Sequence, residues 1–371
     1  MILHSSLFTL HLNMKRIVVK VGSNVLTRED GKLDVTRMSA IVDQIVWLRR
    51  QGNEVILVSS GAVAAGRAEL HVDHHLDNVE QRQLFSAIGQ VKLIGLYYDL
   101  FREYKIKVGQ VLTMKENFGA EEQYKNQEAC MQVMLENDVL PIVNENDTVC
   151  ITELMFTDND ELSGLIASML DADELIILSN IDGIYNGSPK DPRSEIIPIV
   201  TPDRNLSDYI QQEKSGFGRG GMTAKCNIAR LIADEGIKVI IANGKRDDIL
   251  MRLISNAPDT PHTEFTPNPN ATASTMKKWI AHSGSFTKGS IHINRKATEA
   301  LCGDRAVSLL PVGVTAIEGD FEEGDIVSII SDNGEPIGIG RSGYSSDEAR
   351  KCIGQHDQKP IVHYDYLVIN P

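Results

Sequence analysis

No stretch of this 371-residue sequence approaches the ~18 consecutive apolar residues that a membrane-spanning helix needs. Positive charge is also short: 37 Lys and Arg stand against 51 Asp and Glu, a formal net charge of -14. A surface of that sign repels polyphosphate, so any nucleotide or RNA contact requires a locally built site. Cysteine is sparse. Cys130, Cys150, Cys226, Cys302 and Cys352 are odd in number and scattered, and none forms a C-x-x-C. That excludes a disulfide framework or a zinc ribbon and fits a reducing compartment. Residues 1–13 carry no charge ahead of their short apolar run and no small-residue cleavage site. They read as an extension before Met14 rather than a signal peptide, and the expected location is cytoplasmic.

What is present suffices for two or three domains at roughly 150 residues each, since 42% of the residues are hydrophobic. Lys15–Val21 is a Val/Ile-rich run closed by Gly22 and Ser23, the pattern of a strand buried on both faces. Similar runs recur at Glu54–Ser60, Lys107–Thr113, Leu140–Asn146, Glu174–Ser179 and Lys238–Asn243. Helical patterns lie between them: Arg37–Arg50, with Met38, Ile41, Ile45 and Leu48 on one side, then Gln81–Tyr104 and Gln127–Glu136. This alternation predicts an α/β fold with a mostly parallel sheet and helices on both faces, in which ligands bind beyond the carboxyl ends of the strands. After about Asp259 the texture changes. Pro261, Pro267 and Pro269 among Thr and Asn read as a linker, and Lys277–Pro371 reads as a small β-rich domain with strands at Gly289–Ile293, Asp325–Ile330 and Pro336–Gly340. The expected division is extension 1–13, catalytic domain 14–260, linker 261–276 and C-terminal domain 277–371.

Five segments carry candidate chemistry. Lys20, near the end of the first strand, precedes Gly22-Ser23-Asn24 and sets an ammonium beside exposed N–H groups, which suits a phosphate unless the lysine is simply solvated. Ser59-Ser60-Gly61-Ala62-Val63-Ala64-Ala65-Gly66 runs from a strand into a small-residue helix start. That start either attracts an anion or lets helix and sheet pack closely, and it is not the G-x-G-x-x-G dinucleotide fingerprint. Asn144-Glu145-Asn146-Asp147-Thr148 and Thr157-Asp158-Asn159-Asp160-Glu161 suit recognition of an amino-acid backbone or, equally, serve as turns and caps. Gly216–Lys225 is glycine-rich and opens a helix at Cys226–Glu235. It combines an amide nest, a helix N-terminus and a lysine without being a Walker A loop. His71-x-x-His74-His75, in an acidic loop with no cysteine partner, reads as solvated rather than metal-binding.

In order, the stretches VVKVGSNVLT, VSSGAVAAGR, PIVNENDTV, DNDELS and GGMTAK make the chain resemble the glutamate 5-kinases of the amino-acid kinase family, from about Lys15 to the C-terminus. The tail, with Ser308-Leu309-Leu310-Pro311-x-Gly313, is similar to a PUA domain. The resemblance implies an αβα sandwich and ATP- and Mg²⁺-dependent phosphorylation of the γ-carboxylate of L-glutamate, the first step of proline biosynthesis. Carried over residue by residue, it places Lys20 and Lys225 on the transferring phosphoryl group, with Asp160 holding both lysines. It assigns Ser60, Asp147 and Asn159 to glutamate, with Asn144 and Asp158 nearby. Ser179, Asn180 and the stretch Arg219, Gly220, Gly221, Met222, Thr223, Ala224 and Lys225 would line the nucleotide site. Ser179-Asn180 stands where the family has Thr-Asp, and Arg219 where it has Thr; both departures bear on ATP. Feedback inhibition by proline and a homo-oligomer are further implications.

The chemistry is consistent. A glutamate carboxylate, with pKa near ~4.3, is already ionised at neutral pH and needs no general base. The obstacle is an anion meeting an anion, and a cation about 4 Å away is worth roughly 4 kcal/mol at an effective dielectric near 20. Two other readings are a kinase of the same fold acting on another acceptor and an RNA-binding protein. The latter sits poorly with Lys277–Pro371, where 10 Lys and Arg face 13 Asp and Glu.

Overall fold

The computed structural model describes residues 14–149, 159–189, 191–204, 206, 222–271, 274–303 and 305–369. The expected site residues Asp158, Arg219, Gly220 and Gly221 lie outside them. The chain divides into two compact units: residues up to Lys115 with Asn126–Ala271, and Glu116–Lys125 with the residues from Thr272 onward.

The first unit is built on an eight-stranded sheet. Its strands are β1 (Arg16–Val21), β2 (Glu54–Ser59), β3 (Lys107–Thr113), β4 (Val139–Glu145), β5 (Glu174–Ser179), β6 (Ile199–Val200), β7 (Lys238–Asn243) and β8 (His262–Phe265), in the order β3-β4-β2-β1-β5-β7-β8-β6. Neighbours from β3 through β7 pair parallel; β8 runs antiparallel to β7 and parallel to β6. Three of the expected strands match residue for residue and the other three to within a residue at each end. His262–Phe265, inside the segment expected as linker, is instead a strand of this sheet.

Its helices include α1 (Ser23–Leu26), α2 (Val35–Arg50), α3 (Ala62–Glu69) and α4 (Asn78–Glu103). They continue with α5 (Glu121–Glu136), which belongs to this unit from Asn126 onward, α6 (Asn159–Met169), α7 (Met222–Asp234) and α8 (Ile249–Ile254). Met38, Ile41, Ile45 and Leu48 of α2 are fully buried in one core with Ile17, Val19 and Val21 of β1 and Leu93, Tyr97 and Phe101 of α4. Side chains alternate along a strand, so Val18 and Lys20 belong to the opposite face of β1. That face is where α6 packs, which aims Lys20 at the start of α6.

The second unit carries α9 (Thr275–His282), α10 (Arg295–Leu301) and α11 (Ser346–Cys352). Its sheet has the order β10-β9-β11-β12-β13, formed by β9 (Gly289–Ile293), β10 (Val314–Gly319), β11 (Ile326–Ile330), β12 (Pro336–Ser342) and β13 (Val362–Ile369). Ile291, Val327, Ile329, Leu309, Phe321 and Val362 form its core. Leu309 exchanges backbone hydrogen bonds with Ile361 and Val362, which ties the Ser308–Gly313 stretch to the last strand. No helix among the described residues is long and apolar enough to cross a membrane.

Candidate functional site

Lys20, Asp160 and Lys225 come from a strand and two helices separated widely in sequence, and they meet at one point. Asp160 is the second residue of α6 and is fully buried. Lys20 Nζ contacts its Oδ1, and Lys225 Nζ lies 2.6 Å from its Oδ2. Lys20 is 5% exposed, so the ammonium leaves water only because a carboxylate waits for it. Burial favours the protonated form of Asp160, yet the two ammonium groups outweigh it and hold the carboxyl well below the usual carboxylate range. The helix N-terminus adds a favourable field for the same negative charge. Two ammonium groups are thus gathered at one carboxylate, the kind of positive charge that an incoming phosphoryl group needs. Glu161, the next residue, pairs with Lys115 at 2.7 Å and fixes the same helix end from its other side.

Beside this cluster, Asn159 gathers the end of β2. Its Nδ2 donates to Ser60 Oγ at 2.9 Å, to the Ser59 carbonyl at 3.1 Å and to Asn144 Oδ1 at 2.8 Å. Asn144 in turn donates to Gln90 Oε1 at 2.8 Å, so α4 orients the amide. Ser60, Asn144 and Asn159 therefore converge. Asp147, in the turn after β4, meets a different partner: Arg82 Nε of α4, at 2.5 Å. The same guanidinium donates through Nη2 to Glu145. Burial pushes the Asp147 carboxyl up, opposed by Arg82 and by a hydrogen bond with Glu145.

Arg82 and Gln90 were invisible to motif reading. They sit in a helix whose sequence shows only amphipathic periodicity, and the signal that could have found them is their spacing: eight residues apart, hence on one face.

The small-residue start of α3 resolves into packing, though against a helix rather than the sheet. A Cβ on Gly66 would lie 1.8 Å from the Phe85 carbonyl oxygen, and one on Gly89 would lie 1.8 Å from that of Ala62. Gly61 takes φ +106, a conformation that favours glycine. The backbones of α3 and α4 thus touch, and this close approach carries Arg82 and Gln90 to the strand ends.

On the other side of β1, Ser179 ends β5 and is nearly buried, with Asn180 beside it at 3.4 Å. The following loop is pinned by Asp182, whose two oxygens accept from Arg246 at 2.6 and 2.8 Å while Asn243 donates to it at 3.0 Å. Those bonds hold the Asp182 carboxyl below its ordinary range. Met222, Thr223 and Ala224 form the first turn of α7 ahead of Lys225. Burial pushes the Cys226 thiol up to about 12, so it is a packing residue and not a nucleophile. His71 is 92% exposed in its side chain and faces only Asp73 among the described residues. Both oxygens of Asp160 are engaged by ammonium groups, which makes it a poor metal ligand.

Comparison with known proteins agrees with the architecture. The amino acid kinase family pattern matches residues 15–243, and the PUA domain pattern matches 289–364. A Bacteroides thetaiotaomicron protein named glutamate 5-kinase is 62% identical over 354 residues, covering 95% of this chain and 98% of its own length. One of the same name from Chlorobaculum tepidum is 45% identical over 366 residues, covering 97% and 99%. Among solved structures, carbamate kinase from Giardia lamblia bound to AMP-PNP superposes with a TM-score of 0.50 at 16% identity, covering 69% of this chain and 99% of its own; that likeness concerns the fold.

Proposed function

The chain belongs to the glutamate 5-kinases of the amino acid kinase family, and from that premise we propose how its strand-end residues divide the work of phosphorylating glutamate. The reaction is ATP-dependent transfer of a phosphoryl group to the γ-carboxylate of L-glutamate, giving L-glutamyl 5-phosphate at the first step of proline biosynthesis. Lys20 and Lys225 neutralise the phosphoryl group as it moves, and Asp160 holds both ammonium groups in register. Preorganised charge of this kind acts without reorganisation at the moment of transfer, which is where its catalytic value lies. Ser60, Asn144 and Asn159 bind the acceptor through hydroxyl and amide groups, and Asp147 takes its ammonium. Asp158 joins them. Ser179, Asn180 and the stretch from Arg219 to Lys225 hold the nucleotide, with the Asp182–Arg246 pair stiffening the loop after β5. A divalent ion such as Mg²⁺, when bound with the nucleotide, would supply further neutralisation of phosphate charge.

Residues 14–115 and 126–271 act as the catalytic unit, and residues 116–125 with those from 272 onward as the unit that carries the PUA domain. The enzyme works in the cytoplasm, as a homo-oligomer, with proline competing at the glutamate subsite. The observation that carries the assignment of roles is the convergence of Lys20 and Lys225 on the buried Asp160.

The test is hydroxylamine trapping. Glutamyl hydroxamate is expected only when ATP, Mg²⁺ and L-glutamate are all supplied. Hydroxamate formed from another amino acid in place of glutamate, or none with the full set, refutes the assignment.

A further inference from the structure

At the acceptor end, two buried carboxylates lie side by side. Glu145 is 3% exposed and Asp147 6%. Left alone, neighbouring carboxylates in a low-dielectric setting cannot both stay ionised, and one takes up a proton. Arg82 answers this from α4, donating to Asp147 Oδ1 through Nε at 2.5 Å and to Glu145 Oε2 through Nη2. A planar guanidinium can bridge two acceptors in this way, whereas a lysine presents a single point of charge.

Resting on the glutamate reading above, we propose that Arg82 is a positioning residue for the acceptor. It holds the two buried carboxylates, Glu145 and Asp147, in the paired arrangement from which Asp147 receives the ammonium group of the acceptor. The charged groups facing Asp147 among the described residues are Arg82 from α4 and Glu145 from β4. Burial pushes the Asp147 carboxyl up while the guanidinium pulls it back. Removing Arg82 therefore lets Asp147 protonate at a higher pH, and a protonated Asp147 no longer holds an ammonium.

The experiment uses the full-length enzyme, after hydroxamate formation by the wild type has tested the parent reading on its own. Arg82→Gln and Arg82→Lys are compared with wild type across mildly acidic to mildly alkaline pH. In Arg82→Gln the acid limb of kcat/KM for glutamate is expected to move up by about one pH unit, with glutamate KM about tenfold higher at pH values below the limb and ATP KM unchanged. Arg82→Lys should keep the limb in place, because the charge remains, and raise glutamate KM alone, because the fork is lost. An unmoved acid limb in Arg82→Gln overturns the proposal. So does a fall in kcat with a matching rise in ATP KM in either variant, since that marks general structural damage. Should Arg82→Gln fail to fold, Arg82→Lys decides on the same split: a change confined to glutamate supports the clamp, and a uniform loss overturns it.

Discussion

A carboxylate shut away from solvent stays ionised when cations reach both of its oxygens, and Asp160 meets that condition with Lys20 on one side and Lys225 on the other. Removing the negative charge leaves two ammonium groups in a place prepared for three charges. Breaking a buried pair by deleting one partner typically costs about 3–5 kcal/mol. Asp160→Asn is therefore expected to lower both stability and turnover, the latter on the order of 10²-fold or more, as loss of one preorganised group does elsewhere.

The pH dependence has a definite sign. A depressed carboxyl contributes stability that is fully present above its unfolded value, about 3.9, and is lost as pH falls through its lower folded value. The stability gap between wild type and Asp160→Asn, measured by urea unfolding, should thus stay level from neutrality down to about pH 5 and shrink only in stronger acid. A gap that closes between neutral pH and about pH 5 contradicts this account. At this scale Lys20, Lys225 and Asp160 were legible because each sits in a local stretch with its own signature. Arg82 and Gln90 were not, since a single polar residue on an amphipathic helix gives no hint of which distant strand end it meets.

Elements were easier to read than their ends. Strands buried on both faces announce themselves as continuous apolar runs, and β5 and β7 begin and end where those runs do; β3 has the expected bounds but lies at the sheet edge, with only Thr113 buried. Helix starts were read late. The apolar pattern of α4 suggests a beginning near Gln81, while the helix starts at Asn78 behind a capping box in which Asp77 and Glu80 satisfy each other's backbone N–H groups. The first turn of such a helix is polar, so periodicity misses it. The contact between α3 and α4 was half legible: glycine and alanine signalled close packing, but against the sheet, whereas the partner is α4. That contact now makes a prediction. A Cβ at Gly89 meets the Ala62 carbonyl oxygen at 1.8 Å, so Gly89→Ala must push α4 away from α3, at a cost of about 1–3 kcal/mol for overpacking. Because α4 carries Arg82 and Gln90, the displacement should raise glutamate KM and leave ATP KM near wild type. Equal changes in the two constants would show that α4 does not set the acceptor site.

On the scale of the whole molecule, a linear reading of domain borders has no means of seeing that Glu116–Lys125 belongs with the C-terminal unit. Contacts between residues far apart in sequence decide it. Phe118 is 1% exposed, and its carbonyl accepts from Trp279 Nε1 at 2.7 Å and from Ser283 Oγ at 3.3 Å. Tyr124 stacks edge-on to Phe118 and tilted against Trp279, each ring pair about 6.3 Å apart between centroids. A Cβ on Gly119 would sit 2.6 Å from the Phe286 ring. These ten residues thus complete an aromatic core that the sequence after Thr272 cannot fill by itself. The consequence can be read optically, because the chain has two tryptophans and a fragment spanning 272–371 keeps only Trp279. In the full chain Trp279 is 2% exposed and should emit as a buried indole. In the isolated fragment, with Phe118 and Tyr124 gone, its emission should shift to the red, toward that of a solvated ring. A synthetic peptide covering 114–126, added in trans, should shift it back toward the blue and raise the fragment's unfolding midpoint. Emission from the fragment alone that matches the buried ring, unchanged by the peptide, would mean that the C-terminal unit closes its core without this segment.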